Sequence, residues 1–321
     1  MAGYNTIRGL RVKYLSADPA NPEDGQVWYN AGTGNLRVDG IALAATWASG
    51  GNLAGVIRGN RNAGTQTAAL TAFGHNPGGN QQTSYEYNGT AWGSNISANT
   101  GRAYLSGFGI QTAAVYAGGY GSPDARNNTE TYNGSSWTNG NVIGTARWYV
   151  GGAGTSTAGL IYLGTDSPGV KSETEEYDGT SWSEVNNNPT ARRFGNGFGT
   201  QTAALAAGGL PNSATTSQEY DGTNWSSGGT LNTGRGYIQG FGIQTAGVIV
   251  GGNASGTPSA STELYDGTSF TTSTSMTNAQ NDGGGNGTNT AGLYCGGGPS
   301  HTNKTEEFTG SVIVTKNIST S

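Results

Sequence analysis

Short apolar runs, each closed by glycine, set the pattern of this 321-residue chain. Residues 192–229 show it: RRFGNGFGTQTAALAAGGLPNSATTSQEYDGTNWSSGG. The first run lies around RFGNGFG, and the second is TAALAA, ended by Gly208-Gly209. SQEY is the third, and a fourth starts near Trp225. Runs this short, bounded by Gly, Asn and Asp, predict β-strands. Gly199 and Gln201 bracket the turn between the first two. Asp221-Gly222, between the third and fourth, predicts a two-residue hairpin turn whose central positions favour φ > 0.

This unit recurs along the chain. A Thr-Ala pair, usually preceded by Gln, begins at Gln66, Gln111, Ser156, Gln201, Gln244 and Asn289, in steps of 45, 45, 45, 43 and 45 residues. A second mark keeps the same period. It is an aromatic, then Asn/Asp-Gly, then an aromatic: Tyr87…Trp92, Tyr132…Trp137, Tyr177…Trp182, Tyr220…Trp225 and Tyr265…Phe270, with a decayed copy at Phe308-Thr309-Gly310. Four antiparallel strands in about 45 residues is the pattern of a propeller blade. Six copies predict six blades. Trp47-Ala48-Ser49-Gly50-Gly51 matches Trp225-Ser226-Ser227-Gly228-Gly229, so it reads as a fourth strand without its first three. Pairing it with the last copy joins the chain ends in one blade and removes free edges. Residues 312–316 are the competing source of that strand.

Residues 1–40 carry no repeat. Asp18–Gly25 is rich in turn residues, and Gln26–Asn30 and Asn35–Val38 alternate around Ala31-Gly32-Thr33-Gly34, which predicts a β-hairpin. A lone hairpin is marginal in water, so it needs the repeats, another copy of the chain or a different protein to lean on. The expected division is 1–45, a hairpin segment; 46–316, the repeats; and 317–321, a tail.

Composition narrows the class. Glycine accounts for 58 residues, charged residues for 11% and hydrophobic ones for 33%. With 16 Tyr, 7 Phe, 7 Trp and a net charge of only −5, the chain departs from the charged, aromatic-poor composition of disorder. That charge gives no electrostatic reason to bind nucleic acid. No apolar run reaches the ~18 residues of a membrane helix, and MAGYNTIRGLRVKYL lacks the apolar core of a signal peptide. Cys295 is the single cysteine, so a disulfide within the chain or a cysteine metal cluster is not expected.

The order of diglycine after an apolar strand, then Glu-Tyr-Asp, then Trp resembles the kelch repeat over residues 47–316. Gly118-Gly119, Gly208-Gly209, Gly251-Gly252 and Gly296-Gly297 carry it, while the first and third copies have Phe73-Gly74 and Gly164-Thr165. The resemblance implies an all-β, six-bladed kelch-like β-propeller with four-stranded antiparallel blades. NPEDGQVWYNAGTGNLRV resembles a hairpin module of tailed-bacteriophage virion proteins, including tail fibres and appendages. That implies a structural virion protein, made in the host cytoplasm and released by lysis. Residues 1–45 would contact other virion proteins, with Trp28, Tyr29, Leu36 and Val38 as the docking side chains. A host-surface glycan is the implied ligand of the propeller, and a homo-oligomer is left open.

Candidate sites follow from repetition and its exceptions. Ten residues after the Trp of four copies stands an arginine, at Arg102, Arg147, Arg192 and Arg235, with an aromatic two residues on at Tyr104, Tyr149, Phe194 and Tyr237. Copy six has Gln280. Such arginines could form a partial ring at one mouth of the channel and take anionic sugars by bidentate contacts. The competing reading pairs them with the recurring Glu130, Glu175, Glu219, Glu263 and Glu306, to tie each blade to its neighbour. Repeated Tyr and Trp read as packing. Unrepeated Trp148, His75 and His301, and the loops 74–82, 120–128, 165–172, 210–216 and 253–260, are better placed for recognition. With Arg102, Arg147, Arg192 and Arg235, the side chains Trp148, Tyr149 and Tyr237 are the ligand-binding candidates. No catalytic set, cofactor or metal is expected. Asp178–Trp182 faintly resembles the sialidase Asp-box, so a glycan-processing enzyme is one alternative, and an intracellular kelch-type scaffold is the other.

Overall fold

A computed structural model describes residues 12–19, 26–38, 42–94, 96–167, 169–211, 214–313 and 316–318. All regular elements among them are β-strands. The chain divides into two compact units, residues 46–309 and residues 1–45 with 310–321.

The larger unit contains six four-stranded antiparallel sheets, one per repeat. Sheet one is Arg61–Thr65, Ala68–Ala72, Ser84–Tyr87 and Trp92–Ser94. Sheet two is Ser106–Ile110, Ala113–Ala117, Thr129–Tyr132 and Trp137–Gly140, and sheet three is Gly151–Thr155, Ala158–Tyr162, Thr174–Tyr177 and Trp182–Val185. Sheet four is Asn196–Gly199, Ala204–Ala207, Ser217–Tyr220 and Trp225–Ser227, and sheet five is Gln239–Ile243, Ala246–Val250, Thr262–Tyr265 and Phe270–Ser273. Sheet six takes Gly284–Gly287, Ala291–Cys295 and Thr305–Thr309 from the last repeat, and its fourth strand is Thr46–Ser49. Phe308 faces Trp47 in that pairing. The chain thus closes sheet six with its Trp47 strand, and Val312–Ile313 instead pairs with Ala42–Leu43.

Each first hairpin turns at a glycine. Gly64, Gly109, Gly154, Gly199, Gly242 and Gly287 have φ between 104° and 124°, and a Cβ at any of them would run into the carbonyl oxygen four residues on. No L side chain fits there. The third turn differs from the sequence expectation. Tyr220 pairs with Trp225, so four residues, Asp221–Asn224, form the loop rather than two. The cause is the aspartate side chain. Its Oδ1 accepts N–H groups from Thr223 at 2.8 Å and Asn224 at 2.7 Å, holding a wider Asx turn. Asn88, Asn133, Asp178 and Asp266 do the same.

The core lies between neighbouring sheets. Ala63, Leu70 and Phe73 of repeat one pack with Leu105, Tyr116, Tyr132 and Trp137 of repeat two, and similar clusters join sheets two to three, three to four and four to five. The repeat marks are inter-sheet ties. Gln111 Nε2 donates to the carbonyls of Ala69 and Tyr87 in the preceding sheet, at 3.0 and 2.8 Å. Gln201 and Gln244 repeat the clamp, and Gln66 makes it to Gly292 and Phe308 of sheet six. The indole N–H of Trp182 donates to Thr129 Oγ1, that of Trp225 to Thr174 and that of Trp92 to Thr305, again one sheet back. First strands lie beside one another in the order of the sheets, and that of sheet six lies beside that of sheet one. All six sheets line one small central cavity of about 30 Å³.

In the smaller unit the expected hairpin is present. Val27–Asn30 pairs with Asn35–Val38, with Trp28 opposite Arg37 and Tyr29 opposite Leu36. Lys13–Leu15 adds a parallel strand on one side. Lys316–Ile318 adds an antiparallel strand on the other, which takes in residues 317 and 318 of the expected tail; 319–321 lie outside the described residues. Asp18 organises the hairpin: its carboxylate accepts from Trp28 Nε1 at 2.9 Å, from Asn30 Nδ2 at 2.6 Å and from Arg37.

Candidate ligand-binding face

The arginines are not surface groups. Arg102, Arg147 and Arg235 are fully buried, and each guanidinium meets a carboxylate of its own repeat: Glu130, Glu175 at 2.6 Å and Glu263 at 2.6 Å. The second oxygen of each carboxylate accepts a backbone N–H, from Asn99, Gly144 and Asn232 respectively, each at 2.7 Å. Arg192 instead bonds Gln218 and the carbonyls of Gly208 and Thr216. These side chains fasten the segment that leads into a sheet to the third strand of that same sheet. They form no ring open to a ligand, and their ion pairs lie within a repeat rather than between neighbours. The inter-sheet contact of Arg102 runs through Phe73, whose ring lies 4.4 Å from the guanidinium carbon. A buried pair of this kind is strongly destabilised, by about 3–5 kcal/mol, when one partner is removed.

Two residues beyond each arginine the backbone does something the spacing did not reveal. Gly59, Tyr104, Tyr149, Phe194, Tyr237 and Asp282 occupy equivalent positions, and all six have φ between 53° and 65°. Such angles cost non-glycine residues about 1–3 kcal/mol and persist only where the surroundings impose them. Here the imposing contacts are visible. The N–H of Tyr104 donates to Gly59 O, Tyr149 to Tyr104 O, Tyr237 to Phe194 O, Asp282 to Tyr237 O and Gly59 to Asp282 O, at 2.6 to 3.0 Å. Equivalent backbones from different repeats are thus linked head to tail. The side chains stack over this link: Tyr149 and Phe194 ring centres are 3.8 Å apart, as are Phe194 and Tyr237. Gly59 leaves the room that the Tyr104 ring fills.

The remaining part of this ring is polar. Asp282 is buried, and burial pushes its carboxyl up to about 7, against the opposing pull of Arg61 and Arg58. His75 and His301, the two histidines of the chain, meet here with Nδ1 of one 3.0 Å from Nε2 of the other. Burial and Arg58 lower the pKa of both.

The loops after the second strands pair with the residues flanking this ring: His75 with Arg58, Tyr120 with Ala103, Thr165 with Trp148, Leu210 with Arg193, Asn253 with Gly236 and Gly298 with Asn281. Between the loops of repeats two and three lies an open groove of about 420 Å³. Trp148 and Tyr120 form its aromatic wall, their rings 5.0 Å apart, and Asp124, Thr145, Asp166 and Ser167 supply polar groups. Asp166 is held by Lys171 at 2.8 Å, which also lowers its pKa. Trp148 is backed by Tyr149 at 4.6 Å and Tyr104 at 5.9 Å. Of the candidates named from sequence, Trp148, Tyr149 and Tyr237 therefore share one aromatic cluster, Trp148 lining the groove and the other two stacked behind it. Tyr120, Asp124 and Asp166 were missed as individuals, although all lie in loops singled out for their variability.

In the smaller unit, Trp28 is completely buried, so it supports the hairpin and is not a docking surface. Tyr29 stacks on Tyr14 at 5.1 Å, and Tyr14 is 75% exposed. Leu36 is half-buried, and Val38 ends its strand.

Among the described residues no three His, Cys, Asp or Glu side chains come together as metal ligands. Cys295 is buried, which pushes its thiol up to about 11 and keeps it protonated. No family model and no curated protein matches the chain.

Proposed function

We propose that the six sheets are blades of a kelch-like β-propeller, and that the chain is a non-enzymatic virion protein of a tailed bacteriophage that recognises a host-surface glycan. The closed order of first strands, the Gln66 clamp from sheet one to sheet six and the shared central cavity support the propeller. The phage reading rests on the resemblance of residues 21–38 to a virion hairpin module.

The Trp148 groove carries the glycan reading. Trp148 has Arg58, Ala103, Arg193, Gly236 and Asn281 as its counterparts, so no repeat function requires an indole there. An aromatic wall beside two carboxylates suits a sugar, whose C–H face packs on the ring while its hydroxyls donate to the oxygens. Two other open crevices among the described residues, lined by Tyr87 and Gln111 and by Tyr265, use side chains that the repeats already employ as ties. The test is binding of wild-type protein and of Trp148→Ala to a glycan array and to host cells. The variant should lose at least tenfold in affinity with its melting temperature little changed. Unchanged binding, or a wild type that binds neither, would remove the reading.

A further inference from the structure

We propose that the central cavity holds a monatomic anion, of the size and charge of chloride, coordinated by Arg61, Ser106 and Gln239. These three residues come from the first strands of sheets one, two and five and line the same cavity of about 30 Å³. They are 7%, 1% and 1% exposed. Arg61 Nε, Ser106 Oγ and Gln239 Nε2 each lack a hydrogen-bond partner within the protein.

The amide orientations are fixed by a chain of bonds. Gly197 N–H donates to Asn196 Oδ1 at 2.9 Å, and Asn196 Nδ2 donates to Gln239 Oε1 at 2.8 Å. That leaves the –NH2 of Gln239 as the unmatched group. Asn62 also lines the cavity, and its Oδ1 is taken by the Cys295 thiol at 3.5 Å. The side-chain amide acceptors around the cavity are thus occupied while three donor-capable groups are not. A water there must place its own two protons, whereas an anion only accepts.

Charge points the same way. A terminal nitrogen of Arg61 donates to the carbonyls of Asn60 and Gly283, at 2.9 and 3.4 Å. Among the described residues no carboxylate lies within ion-pair distance of it. Asp282 opposes this charge at longer range, but burial pushes that carboxyl up to about 7, so the guanidinium is only partly compensated, which is unfavourable. The space admits about two water-sized occupants, which suits a monatomic anion.

The experiment has two arms. Crystals grown in bromide should show one anomalous peak within hydrogen-bond distance of Arg61 Nε and Gln239 Nε2. Melting temperatures at matched ionic strength should rise with chloride or bromide relative to gluconate, as ligand linkage requires. Gln239→Glu supplies the negative charge covalently and should lose this halide dependence. Ser106→Ala, a smaller change, should weaken it. Ordered water without an anomalous peak overturns the proposal, and so does a halide dependence that Gln239→Glu and Ser106→Ala leave intact.

Discussion

Asp282 takes the place that four other repeats give to an aromatic ring, and its backbone keeps their left-handed geometry. The carboxyl is enclosed by Arg61, Arg58, Tyr104, Tyr149 and Tyr237, and burial dominates, raising its pKa to about 7. In the unfolded chain an aspartate titrates near 3.9. Between about pH 4 and 7 the folded state therefore binds the extra proton. Its contribution to stability is complete below the unfolded value and is lost as pH rises through about 7. His75 and His301 have lowered values and act with the opposite sign. The readout is therefore the difference between wild type and Asp282→Asn in urea unfolding at successive pH values. Wild type should lose ground to the variant as pH goes from 4.5 to 8. A constant difference would show that Asp282 is ionised throughout.

Between elements, the Gln clamp is the simplest tie to test. Gln111 donates to two carbonyls of sheet one, those of Ala69 and Tyr87. Gln111→Ala should cost about 1–3 kcal/mol in chemical denaturation, the usual price of leaving buried polar groups unmet. Ser156 stands at the same position without a comparable bond, so Ser156→Ala is the matched control and should change little. These ties show where the sequence was legible. The period located the four strands of each large sheet, because apolar alternation and glycine turns are local signals. It also made the Trp47 strand recognisable as a displaced fourth strand. The four-residue turn was not legible, because Asp-Gly is equally compatible with a two-residue turn until the side-chain bonds are seen. Burial of Arg102 and its equivalents was hidden for a different reason. A recurring Arg and a recurring Glu say that a pair is available, but not whether it faces solvent or which sheet it joins. Trp148 stood out because it breaks the repeat. Its partners Tyr120 and Asp166 lie in loops of irregular sequence, where no period points to a residue.

For the whole molecule, the division of labour is the claim most exposed to experiment. Residues 46–309 contain all six sheets, and Thr46–Ser49 is needed to complete the sixth. A cut after Ser49 would leave sheet six with an open edge, whereas a chain spanning Thr46–Thr309 retains every strand of the repeats. That shortened chain and the full-length protein can be compared in pull-downs with purified phage particles or virion proteins as bait. If residues 1–45 with the C-terminal strand form the attachment unit, only the full-length protein is retained, and Tyr14→Ala weakens retention because Tyr14 is the most exposed aromatic among the described residues of this unit. Trp28→Ala should also abolish retention, but by unfolding the hairpin around Asp18. Loss of the Trp28–Asp18 bond would then appear as increased proteolysis of residues 12–38 in the free protein, which Tyr14→Ala should not produce. Equal retention of the shortened chain would place the docking surface on the sheets themselves. The Trp148 groove would then become a candidate contact with the particle, and the assignment of a host glycan to it would lose its basis.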